Sequence, residues 1–297
     1  MNVRRLRDLI GTNLMLLGTL FISLLFFLIL LLLFFRSSLV LESHSLTDIL
    51  FSSLWNPDVG EFGLAAVILD TIIVTGIALA IAIPISLLSA IYLVEYAPLK
   101  IRRMIRPFID VLAGVPSVVY GLCAFLFLVP FVRDVVAPGF GAQSTGLCIF
   151  TASLILSVMV FPIIISLCIE SFDAIPLALK EASLSLGATK WETIKKVVLR
   201  ASAPSVIAAI LLGFGRAFGE TIAVNMVIGG MPRLPSSLFN PGETLASLIA
   251  SKYGELMSMP LHESALMLVA LILFIGVFLF YLLGFLVLRR ARKRWSS

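Results

Sequence analysis

Residues 202–230 read SAPSVIAAILLGFGRAFGETIAVNMVIGG, a stretch that is long and apolar enough to cross a lipid bilayer. Within it, Arg216 and Glu220 stand four residues apart. A charge at the centre of a bilayer costs roughly 2.5–3.5 kcal/mol even on the lenient insertion scale. The stretch therefore predicts a membrane helix whose charged face lies in a protein interior or a polar pathway rather than in lipid.

The amino-acid composition is that of a membrane protein. Hydrophobic residues make up 60% of the 297 residues and charged residues 13%, whereas soluble domains average about 25% charged residues. The net charge of +5 does not indicate nucleic-acid binding, because the basic residues lie in short clusters between apolar stretches. The three cysteines have no metal-binding spacing and the two histidines are far apart, so no metal site is predicted.

Six stretches are long and apolar enough to span a bilayer, which predicts an all-α membrane protein. The first follows a cluster of arginines, as a signal peptide would, but it is too long for a signal's apolar core and no cleavage site follows. We interpret it as a retained membrane helix. The predicted spans cover approximately residues 14–35, 62–94, 108–132, 145–169, 202–230 and 264–288.

The distribution of basic residues predicts the orientation of the chain. Seventeen of the 22 lysines and arginines lie in the N-terminus, in the loops after spans two and four, and in the C-terminus. By the positive-inside rule, these segments, including both termini, are expected in the cytoplasm. Two loops on the other side, residues 52–63 and 229–255, are punctuated by Pro, Gly and Asn and are expected to fold over the outer mouth.

The loop between spans four and five, residues 173–204, is densely patterned. Pro176 is typical of a helix start and Gly187 of a helix C-terminus. Thr189 and Glu192 match a capping box, which predicts a second short helix. The pattern alone is compatible with an amphipathic connector at the membrane surface or with a docking surface for another protein.

The segment EASLSLGATKWETIKKVVL, residues 181–199, resembles the EAA loop of ABC-importer permeases. Glu181, Ala182 and Gly187 fit that pattern, whereas Ser183 replaces its second alanine and Arg200 stands in place of its proline. Four further segments resemble the PstC-type permeases of phosphate importers, and the resemblance extends over roughly residues 55–288. These segments are LLSAIYLVEYAP (87–98), LAGVPSVVYGL (112–122), GRAFGETIAV (215–224) and SSLFNPGETLASLIA (236–250).

The resemblance implies the fold of a type I ABC importer permease, the MetI-like fold, with six transmembrane helices. It implies an N-terminal helix and external loop in residues 1–60, a permease domain in residues 61–288, and a basic cytoplasmic tail in residues 289–297. In such permeases, the loop at residues 173–204 is the coupling loop that docks in a groove of an ATPase subunit.

The resemblance also implies the function and the partners. The chain is expected to form half of the translocation path for inorganic phosphate in the inner membrane, together with a PstA-like second permease, a PstB-like ATPase dimer and a PstS-like phosphate-binding protein. The sequence has no GxxxxGK[ST] phosphate-binding loop. We therefore expect no enzyme activity and no cofactor on this chain, with ATP and Mg²⁺ bound by the ATPase.

Arg216 and Glu220 are the leading candidates for the substrate pathway. Arg216 lies about 14 residues into span five, roughly 21 Å from its cytoplasmic end, and the two residues are expected on one face of a continuous helix. Arginine presents a planar fork of donors that suits an oxyanion. Our hypothesis is that Arg216 pairs with Glu220 in the empty state and exchanges it for phosphate; the alternative is a buried ion pair that only holds the helices together.

Other polar residues are candidates for the same pathway. Ser117 and Tyr120 follow Pro116, which is expected to bend span three, and Thr71 and Thr75 share one face of span two. Alternatively, these hydroxyls bond back to their own helices. Asp70 stands where the family resemblance leads us to expect glycine, and we expect it to be solvated near the outer end of span two.

Two other classes of function stay open at this point. The chain could be a permease for another oxyanion such as sulfate, or an ATP-independent anion channel or membrane scaffold for phosphate signalling. The coupling-loop pattern argues against a stand-alone channel, since a channel needs no docking surface for an ATPase.

Overall fold

Six long apolar helices dominate the fold, as a computed structural model of the chain shows. The structure describes the backbone of residues 3–256 and 259–293 and the side chains of residues 10–254 and 259–290. The arginine cluster at residues 4–7 and residues 291–297 of the predicted basic tail therefore lie outside the described side chains. In the part of the chain that is described, the helical segments suited to cross a membrane are Ile10–Arg36, Ala65–Tyr96, Ser117–Gly139, Ile149–Asp173, Lys190–Phe218 and Pro260–Arg290.

The helices and strands follow each other in this order. The first half contains α1 (Val3–Arg36), α2 (Ser38–Ser43), α3 (Leu46–Phe51), β1 (Trp55–Asn56), β2 (Glu61–Phe62), α4 (Ala65–Ile91), α5 (Leu99–Gly114), α6 (Ser117–Cys123), α7 (Val129–Phe131) and α8 (Ala137–Gly139). The second half contains α9 (Ile149–Asp173), α10 (Leu177–Ser185), α11 (Lys190–Thr193), α12 (Leu199–Phe218), α13 (Ile222–Ile228), α14 (Leu245–Leu256) and α15 (Pro260–Lys293). Short π-helical segments extend α4, join α6, α7 and α8 into span three, and join α11 to α12 in span five.

The number of spans is confirmed, but the start of span three was predicted wrongly. Residues 99–114 form the separate helix α5, and span three begins at Ser117 rather than near residue 108. Val115 and Pro116 between them are extended, with ψ angles of 130° and 141°. A residue before proline is disfavoured in the α conformation and proline has no N–H to donate, so the helix is interrupted here. Pro116 therefore precedes span three instead of bending it.

Spans two, four and five form the centre of the protein. Small buried residues of α4, among them Val74, Ala78 and Ala82, recur every four residues and pack against α9, which in turn packs against α12. This spacing places them on one helix face, and their small size lets the neighbouring helix approach closely. Span one lies at the periphery and contacts α15 through Phe26, so most of its apolar surface is left for lipid.

The loop from Gly229 to Leu256, which is predicted to face the outer side and is called the outer loop below, folds back onto the ends of spans two and five. Gly229 has a φ angle of 102°, which starts the turn, and the Gly242 N–H donates to the Ile228 carbonyl at 3.0 Å. Beyond Pro241 the loop forms helix α14. The loop is held against the α4 side of the bundle by hydrogen bonds to Asp70 and Thr71.

Asp70 is buried rather than solvated, contrary to expectation. Its side chain is 0% exposed, and its Oδ2 accepts the Glu243 N–H at 2.9 Å. Gly242 lies so close that a Cβ at that position would approach Asp70 Oδ2 to 2.5 Å. The carboxylate is therefore a structural acceptor for the outer loop, which residue spacing within span two alone gives no means to foresee.

Candidate substrate pathway and docking loop

Span five is broken at the position of the candidate charges. Helix α12 ends at Phe218, residues 219–221 are not helical, and α13 begins at Ile222. Arg216 therefore lies in the last turn of α12 while Glu220 lies in the break. The predicted continuous helix that places both side chains on one face is wrong.

Local hydrogen bonds explain why the break occurs here. The Glu220 side chain accepts the Ala223 N–H at 3.3 Å, and the Thr221 hydroxyl donates to the Gly219 carbonyl at 3.1 Å. Glycine in a helix interior is unfavourable by roughly 0.5–1 kcal/mol relative to alanine, and this stretch contains Gly215 and Gly219. Glu220, which precedes the N-cap residue Thr221, thus supports the start of α13, because its side chain accepts an N–H in that helix's first turn.

Arg216 and Glu220 differ in their exposure. Glu220 is only 8% exposed, whereas Arg216 lies on an open face of the chain. Within the described residues, the ion pairs closer than 4.0 Å do not include an Arg216–Glu220 pair. The predicted pairing in the empty chain is therefore not observed, and the guanidinium faces a surface that this chain does not cover.

Tyr120 is the predicted pathway residue that the structure brings near Arg216. The charge of the Arg216 guanidinium acts on the Tyr120 hydroxyl. The Tyr120 hydroxyl donates to the Leu112 carbonyl at 2.8 Å, across the interruption between α5 and α6. Ser117 is the first residue of span three and is half-buried. The interruptions at residues 115–116 and 219–221 thus lie in neighbouring parts of the fold.

Thr71 and Thr75 lie elsewhere and are buried. The Thr71 hydroxyl donates to the Val67 carbonyl at 2.7 Å and accepts the Leu245 N–H at 2.9 Å. Its role is therefore to hold the outer loop, and the alternative of bonding back to its own helix is confirmed for this residue. Thr75 lines an apolar cavity of about 470 Å³ between spans two, five and six.

A buried polar cluster that the sequence did not reveal anchors the outer loop. Glu243 is 1% exposed and accepts the Ser251 hydroxyl at 2.9 Å. Burial raises the pKa of the Glu243 carboxyl, while the Ser251 hydroxyl and the Lys252 charge act in the opposite direction. An acidic residue inside an apolar span, Asp70, was the signal in the sequence that could have pointed to this cluster.

The predicted docking loop is a pair of short helices, as expected. Helices α10 and α11 flank Gly187, whose φ angle of 85° requires glycine's freedom, and the capping box of Thr189 and Glu192 is formed. The candidate residues Glu181, Ala182 and Gly187 are all exposed. Large apolar side chains on the same loop are exposed as well, namely Leu177, Leu179, Leu184, Leu186 and Trp191.

Exposed apolar side chains of this kind are typical of a protein-docking surface. Ser183, which replaces the second alanine of the EAA pattern, forms a hydrogen bond of 2.9 Å with Thr193. The substitution therefore joins α10 to the helix that leads into span five. Among the described residues, no group of three or more His, Cys, Asp or Glu side chains lies close enough together to hold a metal ion.

Comparisons with known proteins agree on one family. The model of the binding-protein-dependent transport system inner membrane component family matches residues 82–293. The chain is 37% identical over 273 residues to the phosphate transport system permease protein PstC of Xylella fastidiosa, covering 87% of this chain and 83% of that protein. It is 33% identical over 288 residues to the probable phosphate transport system permease protein PstC of Methanocaldococcus jannaschii, covering 92% and 91%.

Solved structures show the same fold at lower sequence identity. An inward-facing chain of the MetNI methionine ABC transporter superposes with a TM-score of 0.62 at 20% identity, covering 80% of this chain and 99% of that one. A chain of a bacterial alginate ABC transporter in complex with a pentasaccharide-bound periplasmic protein gives a TM-score of 0.63 at 15% identity, covering 94% and 96%. The expected MetI-like fold of type I importer permeases is thereby confirmed.

Proposed function

This chain belongs to the family of binding-protein-dependent transport system inner membrane components, and from that premise we propose that it forms half of the path by which an ATP-driven importer carries inorganic phosphate. As a member of that family, it is a multi-pass inner-membrane permease subunit of an ABC importer. It is not an enzyme, because the ATPase is a separate subunit. It works with ATPase and substrate-binding partners.

The observation that carries the phosphate proposal is the exposed Arg216 guanidinium at the break in span five. An arginine within an apolar span is costly unless it serves a polar pathway or a partner. Each hydrogen bond from such a charged donor contributes about 1.5–3 kcal/mol, and the fork can make two in parallel. The relatives named as phosphate permeases, at 33–37% identity over most of the chain, support phosphate as the oxyanion.

The geometry gives Arg216 and Glu220 different roles from those in the sequence-based hypothesis. The Glu220 side chain accepts an N–H at the start of α13 and so stabilises the non-helical segment between α12 and α13. Arg216 is exposed and would be free to bind an anion. Tyr120, whose hydroxyl is within the electrostatic influence of Arg216, would be a second polar group for the same anion. Phosphate would therefore bind Arg216 without displacing Glu220, and the second permease subunit would close the open face around it.

ATP binding and hydrolysis by the ATPase would change the conformation of this site through the docking loop. In this proposal, a PstB-like ATPase dimer binds ATP and Mg²⁺ and docks on the exposed side chains around Gly187, and this chain binds no cofactor itself. A PstS-like protein delivers phosphate on the other face, and a PstA-like subunit forms the other half of the path. In this proposal both termini lie in the cytoplasm, on the side of the ATPase, as the positive-inside distribution predicts.

The test is ATP-dependent uptake of labelled phosphate by the reconstituted importer. Arg216→Ala should abolish uptake while the assembly persists. Arg216→Lys should retain only part of the wild-type uptake rate, because lysine keeps the charge but lacks the planar fork of donors. Glu181→Ala should weaken uptake through the docking loop. Arg133→Ala, at an exposed arginine paired with the adjacent Asp134, is the matched control and should transport normally.

Three results would refute parts of this proposal. Normal uptake by Arg216→Ala would show that the arginine is not in the pathway. Equal competition by sulfate would make the substrate a broader class of oxyanions. Phosphate flux without ATP or an ATPase would support the channel, and a dispensable Arg216 in a phosphate-sensing complex would support the scaffold.

A further inference from the structure

Span two ends directly on the docking loop. Helix α4 passes into a π-helical turn, Tyr92–Tyr96, before the chain leaves at Pro98. Within that turn, Glu95 forms an ion pair with Lys180 of α10, with 2.5 Å between Oε1 and Nζ. Their side chains are only 11% and 17% exposed. This is far less exposed than a surface pair such as Lys196–Glu192 on the same loop, at 63% and 44%.

The next residue of span two is held by the other helix of the loop. The Lys190 ammonium lies over the Tyr96 ring, 4.5 Å from its centroid. Lys180 and Lys190 stand on opposite sides of the Gly187 turn, and the Ser183–Thr193 hydrogen bond joins their two helices. Two lysines of the docking loop thus contact two consecutive residues of span two, one through an ion pair and one through a cation–π contact.

The other end of span two is attached to the outer loop. Asp70 Oδ2 accepts the Glu243 N–H and Thr71 Oγ1 accepts the Leu245 N–H, both at 2.9 Å. Between Asp70 and Glu95 the chain is helical throughout, with Pro84 inside the helix, and extends about 38 Å at 1.5 Å per residue. A helix attached at both ends can carry a displacement from one end to the other, because its remaining backbone hydrogen bonds resist stretching.

From these contacts we infer that the Glu95–Lys180 pair is a transmission contact, through which displacement of the docking loop is carried along span two to the outer loop. The inference rests on the proposed function, in which an ATPase moves the docking loop. Glu95 and Lys180 are positioning residues and do not touch substrate. A partly buried ion pair suits this role, since the removal of one partner leaves an uncompensated charge that favours separation of the two elements.

The test measures whether motion of the ATPase reaches the outer loop. The complete importer carries spin labels at Tyr253 in α14 and at Phe140 beyond span three, both exposed, with Cys123→Ser to remove the exposed native thiol. The label distance is measured with and without trapped ATP, in the absence of phosphate. The ratio of binding-protein-stimulated to basal ATP hydrolysis is measured in parallel.

Glu95→Gln and Lys180→Met should lose the ATP-dependent change in distance while the ATPase still co-purifies. Stimulation of ATP hydrolysis should fall about fivefold or more, the lower range of coupling between sites. The exchanged pair Glu95→Lys with Lys180→Glu should restore most of both signals. Lys196→Met, which removes the exposed pair on the same loop, should change neither.

The inference is overturned if the ATP-dependent distance change is absent from the wild type, or persists unchanged in both single variants. It is also overturned if the single variants lose ATPase binding together with stimulation, since that result shows a purely structural pair. A wild type that moves with ATP but is not stimulated by a phosphate-loaded binding protein refutes the phosphate proposal and leaves the transmission contact standing.

Discussion

Replacement of Gly121 by alanine should push span three away from α13, because the added methyl group has no room between them. Gly121 lies in α6 of span three and packs directly against α13 of span five. A Cβ at this position would lie 2.7 Å from the Met226 sulfur and 2.9 Å from the Ala223 Cα. The methionine side chain can move aside, but the Ala223 Cα belongs to the backbone of α13.

The magnitude follows from these distances. Carbon atoms in favourable contact are about 3.5–4.0 Å apart, so α6 and α13 must separate by about 0.5–1 Å to admit the methyl group. Overpacking of this kind costs about 1–3 kcal/mol. Replacement of glycine by alanine within a helix stabilises the helix by about 0.5–1 kcal/mol, which offsets part of this cost. We expect Gly121→Ala to lower the free energy of unfolding by up to about 2.5 kcal/mol.

Gly76→Ala is the matched control, because it adds the same methyl group within span two where no atom lies within 4 Å. Gly76→Ala should be stabilised by the higher helix propensity of alanine and should cause no overpacking. The free energies of unfolding of the two variants should therefore differ by about 1–3 kcal/mol. The assay is thermal unfolding of the importer in lipid nanodiscs, with phosphate uptake as the functional readout. Gly121→Ala should also slow uptake, since α13 begins beside Arg216. If it unfolds at the same temperature as Gly76→Ala, the close approach of α6 to α13 is wrong.

Three further predictions concern the docking loop and the outer loop. Thr189→Ala removes the acceptor for the Glu192 N–H and should destabilise α11 by about 1 kcal/mol, visible as faster hydrogen exchange there; unchanged exchange would contradict the cap. Gly187→Ala should cost about 1–2 kcal/mol through backbone strain alone, since no atom lies within 4 Å, and Gly187→Asn should cost less; equal unfolding temperatures for the two variants would contradict this. Because burial raises the pKa of Glu243, its contribution to stability is present below the ordinary glutamate pKa and is lost as pH rises through the raised one. Glu243→Gln should therefore flatten the fall in stability of the outer loop as the pH rises above the ordinary glutamate pKa of about 4.3, measured by hydrogen exchange, and a variant with the wild-type slope would contradict this assignment.

The features that local sequence controls were predicted correctly. Six apolar stretches predicted six spans, because the length and polarity of a segment decide whether it can cross a bilayer. The two helices of the docking loop were predicted from Gly187 and the capping box, which act within four residues. The candidate pathway residues were identified from charges and hydroxyl groups in an apolar setting, and their role in transport stays a prediction.

The features that distant contacts control were not predictable. Span five has the same apolar pattern whether or not it is broken, and Gly215 and Gly219 weaken a helix without requiring a break in it. The break is stabilised by the Glu220 side chain at the start of α13 and by packing of α13 on Gly121, about a hundred residues earlier in the chain. The burial of Asp70 likewise depends on Glu243, 173 residues further along.

The sequence by itself determined that this chain is a six-span membrane protein with a docking loop after span four, because hydropathy, helix caps and glycine turns act over short distances. The tertiary structure alone decided which polar groups are free and which are engaged. It placed Arg216 on an open face, used Glu220, Thr71 and Asp70 as hydrogen-bond acceptors, and joined Glu95 to Lys180 across 85 residues. The physical reason is that a buried polar group must find a partner, and the fold rather than the sequence neighbourhood determines which partner is within reach.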